Sequence, residues 1–278
     1  MPESVAETLH LPIEEVSLGL GPRGLSRKFL EDKARALEKE GKWLPFSVIP
    51  ALLIYGVLLF PNDDDYINHS IISVFVFGNP IPALVSDVYY CLRTRHEKRK
   101  GVVLSCASLL YTWLLYHMPQ KGPWVDFLKD LRWSQKFASL TAEALVWYLP
   151  TSNIDQVIMS CGDFPNVPLM GPRGCINYNP SLALRQLGCP MENEPRAELL
   201  KDFILPDVGT KNPTLLQRVK RAWTQIHRKG KELGKYDCRA KEPYHQWVVQ
   251  RAKEVKLSYS VDVPVPPPKP EPVHAFKE

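Results

Sequence analysis

The chain has 278 residues, 45% of them hydrophobic, enough for one large domain or two small ones around a buried core. Twenty-six prolines against fifteen glycines point to short, sharply bounded elements. The formal charge of +5 is uneven: between Thr214 and Lys256 twelve Lys or Arg stand against four Asp or Glu, a local +8 that leaves −3 for the rest and excludes a chain that is basic throughout.

Residues 1–24 are read as an N-terminal extension, a shortened start of the domain that fills residues 25–259. The first predicted helix runs from Ser26, a good N-cap, to Gly41, a residue suited to a left-handed C-cap. Leu30, Ala34 and Leu37 share one of its faces, and the Glu31/Arg35 pair supports the other. The uncharged run Trp43 to Phe60 approaches the length of a membrane span. Its prolines favour a buried core helix over about Val48 to Phe60 instead, with Ser47 as N-cap and Pro50 in the first turn, where a missing N–H is harmless. Asp63, Asp64 and Asp65 are expected to cap a helix bearing Ile67, Ile71, Val74 and Phe75 that ends at Gly78.

A helix from Pro82 turns Leu84, Val85, Val88, Tyr89 and Leu92 inward before a charge run ending at Gly101. A second strongly apolar helix is predicted over Val102 to Met118. The two apolar helices would place Leu53, Leu58, Leu109, Trp113 and Leu115 in the core. Leu131 to Leu149 mixes helical periodicity with aromatic residues. Asn153 to Cys161 is the best strand, followed by a long loop through Tyr178 and a short helix from Asn179-Pro180 to Gly188. A basic helix opens at Asn212-Pro213 and closes at Gly230, with Leu215, Leu216, Val219, Trp223 and Ile226 on one side. Arg218, Lys220, Arg221, Arg228 and Lys229 lie on the other. A last helix starts at Pro243, and residues 260–278 form a proline-rich tail suited to polyproline II, usable as a ligand for protein partners or as a spacer. The fold class that follows is mainly α: a compact helical bundle with one minor β element and an extended Pro-rich C-terminal tail.

Little in the chain points to catalysis. The six cysteines include no CxxC pair, so free structural thiols in a reduced, intracellular setting are favoured over a zinc site, which takes close ligand pairs. Gly171-Pro-Arg-Gly174 fits neither GxGxxG nor GxxxxGK[ST], and Pro172 removes an amide that a phosphate would need; a structural turn is favoured. No GxSxG elbow, HExxH or protease cysteine signature is present. The reading is a chain without catalytic, metal-binding or cofactor-binding residues. Its cationic helix face, Arg218, Lys220, Arg221, Arg228 and Lys229, could instead neutralise about five phosphates of DNA or RNA, for a log-affinity against log-salt slope near −4.5. The competing view is a solvated face that confers solubility.

Cys161 to Pro190, CGDFPNVPLMGPRGCINYNPSLALRQLGCP, carries a family resemblance, together with LLIYGVLLFPN, GNPIPALVSDVYY, LRWSQKFASLT and AWTQIHRKGKELG. These segments resemble the plant mobile domain group, in particular its legume transposon- or retrotransposon-derived branch, a domain of unknown function. The resemblance implies a mainly helical, mobile-element-derived domain with no established active site. It also implies a nuclear location. Some relatives are called aminotransferase-like, but pyridoxal phosphate chemistry needs a Schiff-base lysine and an acidic partner that no named residue here supplies. The alternatives are a protein-interaction module or vestigial transposon fragment without nucleic-acid affinity, an enzyme, and a membrane protein built on the two apolar runs.

Overall fold

The computed structural model describes residues 2–62, 64–98, 101–119, 131–141, 144–148, 154–201, 203–207, 212–234 and 237–254. The proline-rich tail lies outside them. The first two helices, α1 (Pro2–Leu9) and α2 (Ile13–Gly19), bury Val5, Leu9 and Val16 in one core with Leu25, Leu30, Ile49 and Ile71. The first residues of the chain are thus part of that core. Strands β1 (Leu20–Gly21), β2 (Gly24–Ser26) and β3 (Tyr66–Ile67) form a small antiparallel sheet, registered by Leu20↔Leu25 and Leu25↔Ile67. Gly24, at φ +113°, lies so close to the Ile67 carbonyl that no side chain would fit.

Local capping chemistry sets the next helices. Ser26 Oγ accepts from Phe29 N at 3.1 Å to start α3 (Arg27–Lys39), and Gly41 follows it at φ +69°. Helix α4 (Trp43–Ile54) starts earlier than predicted, placing Pro45 in its first turn and Pro50 inside, where the ladder bond to the Phe46 carbonyl is lost. It passes into a π turn, Tyr55–Leu59, with Gly56 against the Ile67 side chain. Ile49, Leu52 and Gly56 face the core. Leu53 is half-buried, while Leu58 is 52% exposed, against expectation. A uniformly apolar run carries no polarity contrast to mark its inner face, so only the packing decides.

Helix α5 (His69–Phe77) is capped by Asn68, whose Oδ1 accepts from Ile71 N at 2.9 Å. The aspartates do not cap it: Tyr66 and Ile67 intervene as a strand, and Asp63 lies outside the described residues. Gly78 ends the helix at φ +80°. Helix α6 (Ile81–Lys98) links the two cores, with Ala83 in the first and Val85 against the second. Helix α7 (Ala107–His117) begins five residues later than predicted and has no buried residue. Trp113 is 51% and Leu115 38% exposed, with Leu109 half-buried, so α7 is not the core helix expected. Helix α8 (Trp133–Ala138) follows. No described helix is long and apolar enough to cross a membrane.

The second half corrects the fold class. Strand β4 (Val157–Cys161) pairs with β8 (Ile226–Lys229); β5 (Val167–Gly171), β6 (Gly174–Tyr178) and β7 (Ile204–Pro206) make a third antiparallel sheet. The molecule mixes helix and strand and is not a mainly α bundle with one minor strand. The predicted loop from Gly162 to Tyr178 is mostly the β5–β6 hairpin. Pro165, Pro168 and the glycines concealed its period-2 alternation. Pro168 is tolerated because β5 is an edge strand of its sheet, and the Pro168 carbonyl points away from the ladder to accept from Trp223 Nε1 at 2.8 Å. Helix α6 packs on β5 and β6; further along the chain come α9 (Pro180–Ala183), which touches β4, α10 (Pro213–Ala222), whose Val219 and Ala222 enter the second core, and α11 (Glu242–Glu254). Cys161, Val167, Cys175, Ile176, Leu205 and Val219 fill the second core.

Candidate nucleic-acid interface

The cationic segment starts as predicted and then departs from prediction. Asn212 Oδ1 accepts from Leu215 N at 3.0 Å, and Pro213 occupies the first helical position of α10. Val219 and Ala222 are buried and Leu215 and Leu216 pack beside them, so the inner face is as expected. The helix stops at Ala222, eight residues short of Gly230. Thr224 Oγ1 bonds the Arg221 carbonyl at 2.7 Å, Trp223 is held by Pro168, and the Gln225 carbonyl accepts from Gly162 N at 2.7 Å. Beyond this turn the chain pairs with the free edge of β4, registering Ile226↔Cys161, Arg228↔Ile158 and Lys229↔Val157. A partner strand distant in sequence overrides the helical pattern.

The five predicted contact residues are therefore split. Lys220 and Arg221 lie exposed on α10; Arg228 and Lys229 lie exposed on β8, where successive side chains point to opposite faces. They do not form one helical stripe. Arg218 is also engaged: its Nε donates to Asp163 Oδ2 at 2.6 Å, and its guanidinium sits 4.7 Å from the Phe164 ring centroid. Asp163 is 55 residues away in sequence, and no local pattern signals it. Glu232 accepts from Gly230 N at 2.9 Å; that backbone bond, and more weakly the nearby Lys229, hold its carboxyl below the usual range. What remains is four exposed cations, here called the cationic ridge: Lys220 and Arg221 on the last turn of α10, and Arg228 and Lys229 on opposite faces of β8.

The other motifs resolve structurally. Gly171 and Gly174 pair across a two-residue hairpin turn, and Arg173 within it is taken by Asp87, leaving no phosphate loop. Among the described residues no three His, Cys, Asp or Glu side chains converge on a metal position. Burial pushes the Cys175 thiol up to about 12, and raises those of Cys161, Cys189 and Cys91, so these thiols stay protonated at neutral pH.

A family model described as a domain of unknown function (DUF7745) matches residues 1–253, and the chain belongs to that family. No curated protein and no solved structure matches it.

Proposed function

We propose that this member of the family is a non-enzymatic, transposon-derived nuclear module that binds nucleic acid weakly and without sequence preference along Lys220, Arg221, Arg228 and Lys229. The observation that carries the reading is the exposure of these four cations on consecutive elements, within a quarter of the chain whose local charge is +8. The transposon origin and nuclear location rest on the segment resemblance. Four phosphates neutralised at roughly −0.9 each give a slope of about −3.6 for log affinity against log salt on duplex DNA, shallower than the −4.5 of five contacts. Arg218→Gln should leave that slope unchanged, because Arg218 already has a carboxylate partner. Replacing the other four by Gln should abolish binding with the far-ultraviolet circular dichroism intact; binding that survives in this variant rejects the reading.

A protein-interaction module is the second reading, supported by α7, where Tyr111, Trp113 and Tyr116 are exposed on a helix with no buried residue. Retention of a protein partner lost on Trp113→Ala, with no salt-dependent DNA binding, would favour it.

A further inference from the structure

Cys189 and Cys238 are far apart in sequence, and a short stretch of parallel pairing brings their backbones together. Met191 stands opposite Ala240: its N–H donates to the Arg239 carbonyl at 3.0 Å, and its carbonyl accepts from Lys241 N at 2.8 Å. On the other side of the cysteines, Asp237 N donates to the Gly188 carbonyl at 2.6 Å. Cys238 thus lies between two residues, Asp237 and Arg239, that bond to Gly188 and Met191, and the residues between those two are Cys189 and Pro190. Neighbouring strands run about 4.8 Å apart, inside the Cα separation of about 4.4–6.8 Å that a disulfide spans. Both cysteines are also fixed from the side: Cys189 N donates to the Leu184 carbonyl at 2.9 Å, and the Cys238 carbonyl accepts from Arg185 Nε at 3.0 Å. Their access differs. Cys189 is 7% exposed, whereas Cys238 is half-exposed and the other four cysteines are buried, so an oxidant in solution meets Cys238 first. A cavity of about 240 Å³ beside Cys189, lined also by Leu187, Leu233 and Gly234, leaves its side chain room to turn.

We propose that Cys189 and Cys238 form an oxidative modification site, at which a peroxide closes a disulfide between them. The Cys238 sulfur takes one oxygen of the peroxide and becomes a sulfenic acid, and the other oxygen leaves as water. The Cys189 sulfur then attacks the Cys238 sulfur; the S–S bond forms as the hydroxyl departs with the Cys189 proton as a second water. Two thiols lose two electrons and one peroxide gains them. The bond closes a loop of about fifty residues in the unfolded chain, which favours the folded state. That loop contains α10 and β8, and with them the cationic ridge, but the site does not depend on what the ridge binds.

The full chain is treated with a small excess of hydrogen peroxide under native conditions, its remaining thiols are alkylated, and the peptides are mapped without reduction by mass spectrometry. A peptide pair joined through Cys189 and Cys238 is expected, with the other four cysteines alkylated and a raised urea midpoint that dithiothreitol reverses. Ellman's reagent gives a second readout without peroxide: the fast release at Cys238 should be followed by a slower second equivalent as Cys189 displaces the bound thionitrobenzoate. Cys189→Ser should keep the first equivalent and lose the second; if that variant fails to fold, the wild-type map decides alone. The proposal is overturned by six alkylated thiols after peroxide, by a link between any other pair, by a disulfide-linked dimer, or by a sulfinic acid at Cys238 with Cys189 still free.

Discussion

Arg173 clasps Asp87: Nε donates to Oδ1 at 2.7 Å and Nη2 makes a second, shorter contact to Oδ2, tying the tip of the β5–β6 hairpin to α6. Asp87 is 1% exposed, whereas the Arg173 side chain still reaches solvent. One residue earlier, Ser86 Oγ donates to the Leu169 carbonyl at 2.9 Å, so hairpin and helix are joined at two polar points. Removing one partner of a buried pair strands the other charge, which costs roughly 3–5 kcal/mol when both are fully buried. Asp87→Asn leaves Arg173 room to turn to water, and a loss of about 3 kcal/mol in urea unfolding is expected.

Arg173→Gln is the harsher change, because the carboxylate then has no cation and no water. Burial already pushes the Asp87 carboxyl up, against the lowering pull of the Arg173 hydrogen bond and charge. Without Arg173 that pull disappears. A folded-state value above the unfolded one means the native protein holds the proton longer, so stability falls as pH rises through the window between them. Arg173→Gln should therefore lose more stability than wild type as pH rises above the ordinary carboxylate value of 3.8, read as the shift in urea midpoint. Equal shifts would show that Asp87 carries no uncompensated charge.

The parts legible in the sequence are those decided within a few residues. Ser26, Gly41, Asn212 and Pro213 cap their helices through backbone chemistry that any neighbouring fold would leave in place. The β5–β6 hairpin and β8 were illegible because their partners are remote: Trp223 relieves Pro168 from 55 residues away, and β4 captures Ile226 to Lys229 across some seventy. The ridge was half legible for the same reason. Its charges can be counted in the sequence, but not that Asp163 occupies Arg218 or that two cations ride on a strand.

The hairpin also accounts for both glycines of Gly171-Pro-Arg-Gly174 by close approach. A Cβ on Gly174 would stand 2.5 Å from the Leu205 carbonyl and 2.8 Å from the Tyr90 ring; one on Gly171 would meet the Ala83 carbonyl and Ser86 Oγ at 3.1 Å. Backbone cannot yield as a side-chain tip can. Gly174→Ala should cost about 2–3 kcal/mol, near the top of the overpacking range, and Gly171→Ala about 1 kcal/mol. Thermal melts of the two variants would rank them, and the reverse order would mean that β6 and β7 separate easily.

Two leucines of the apolar run Trp43 to Phe60 predict opposite outcomes for one chemical change. Leu52 is fully buried in the first core, and Leu52→Ala should cost roughly 2–5 kcal/mol. Leu58, in the π turn but facing out, should lose no more than about 0.5 kcal/mol on the same replacement. A large loss at Leu58 would show that its exposed face is covered in solution.

Thiol chemistry tests the second core. Cys91, Cys106, Cys161, Cys175 and Cys189 are buried, and only Cys238 is half-exposed. Under native conditions at pH 8, Ellman's reagent should titrate one thiol rapidly, and Cys238→Ser should remove that phase; in guanidinium all six should react. Cys175 adds an alkaline signature. Its thiol is pushed by burial from the ordinary 9 to about 12, so between those values the folded state retains a proton that the unfolded chain releases. Stability then falls as pH rises through that window, by about 1.4 kcal/mol per unit from this group. Cys175→Ala starts less stable because of the small cavity it leaves, yet its alkaline decline should be shallower than wild type by that slope. Parallel declines would place the Cys175 thiol in contact with water and open the sheet core between β6 and α10.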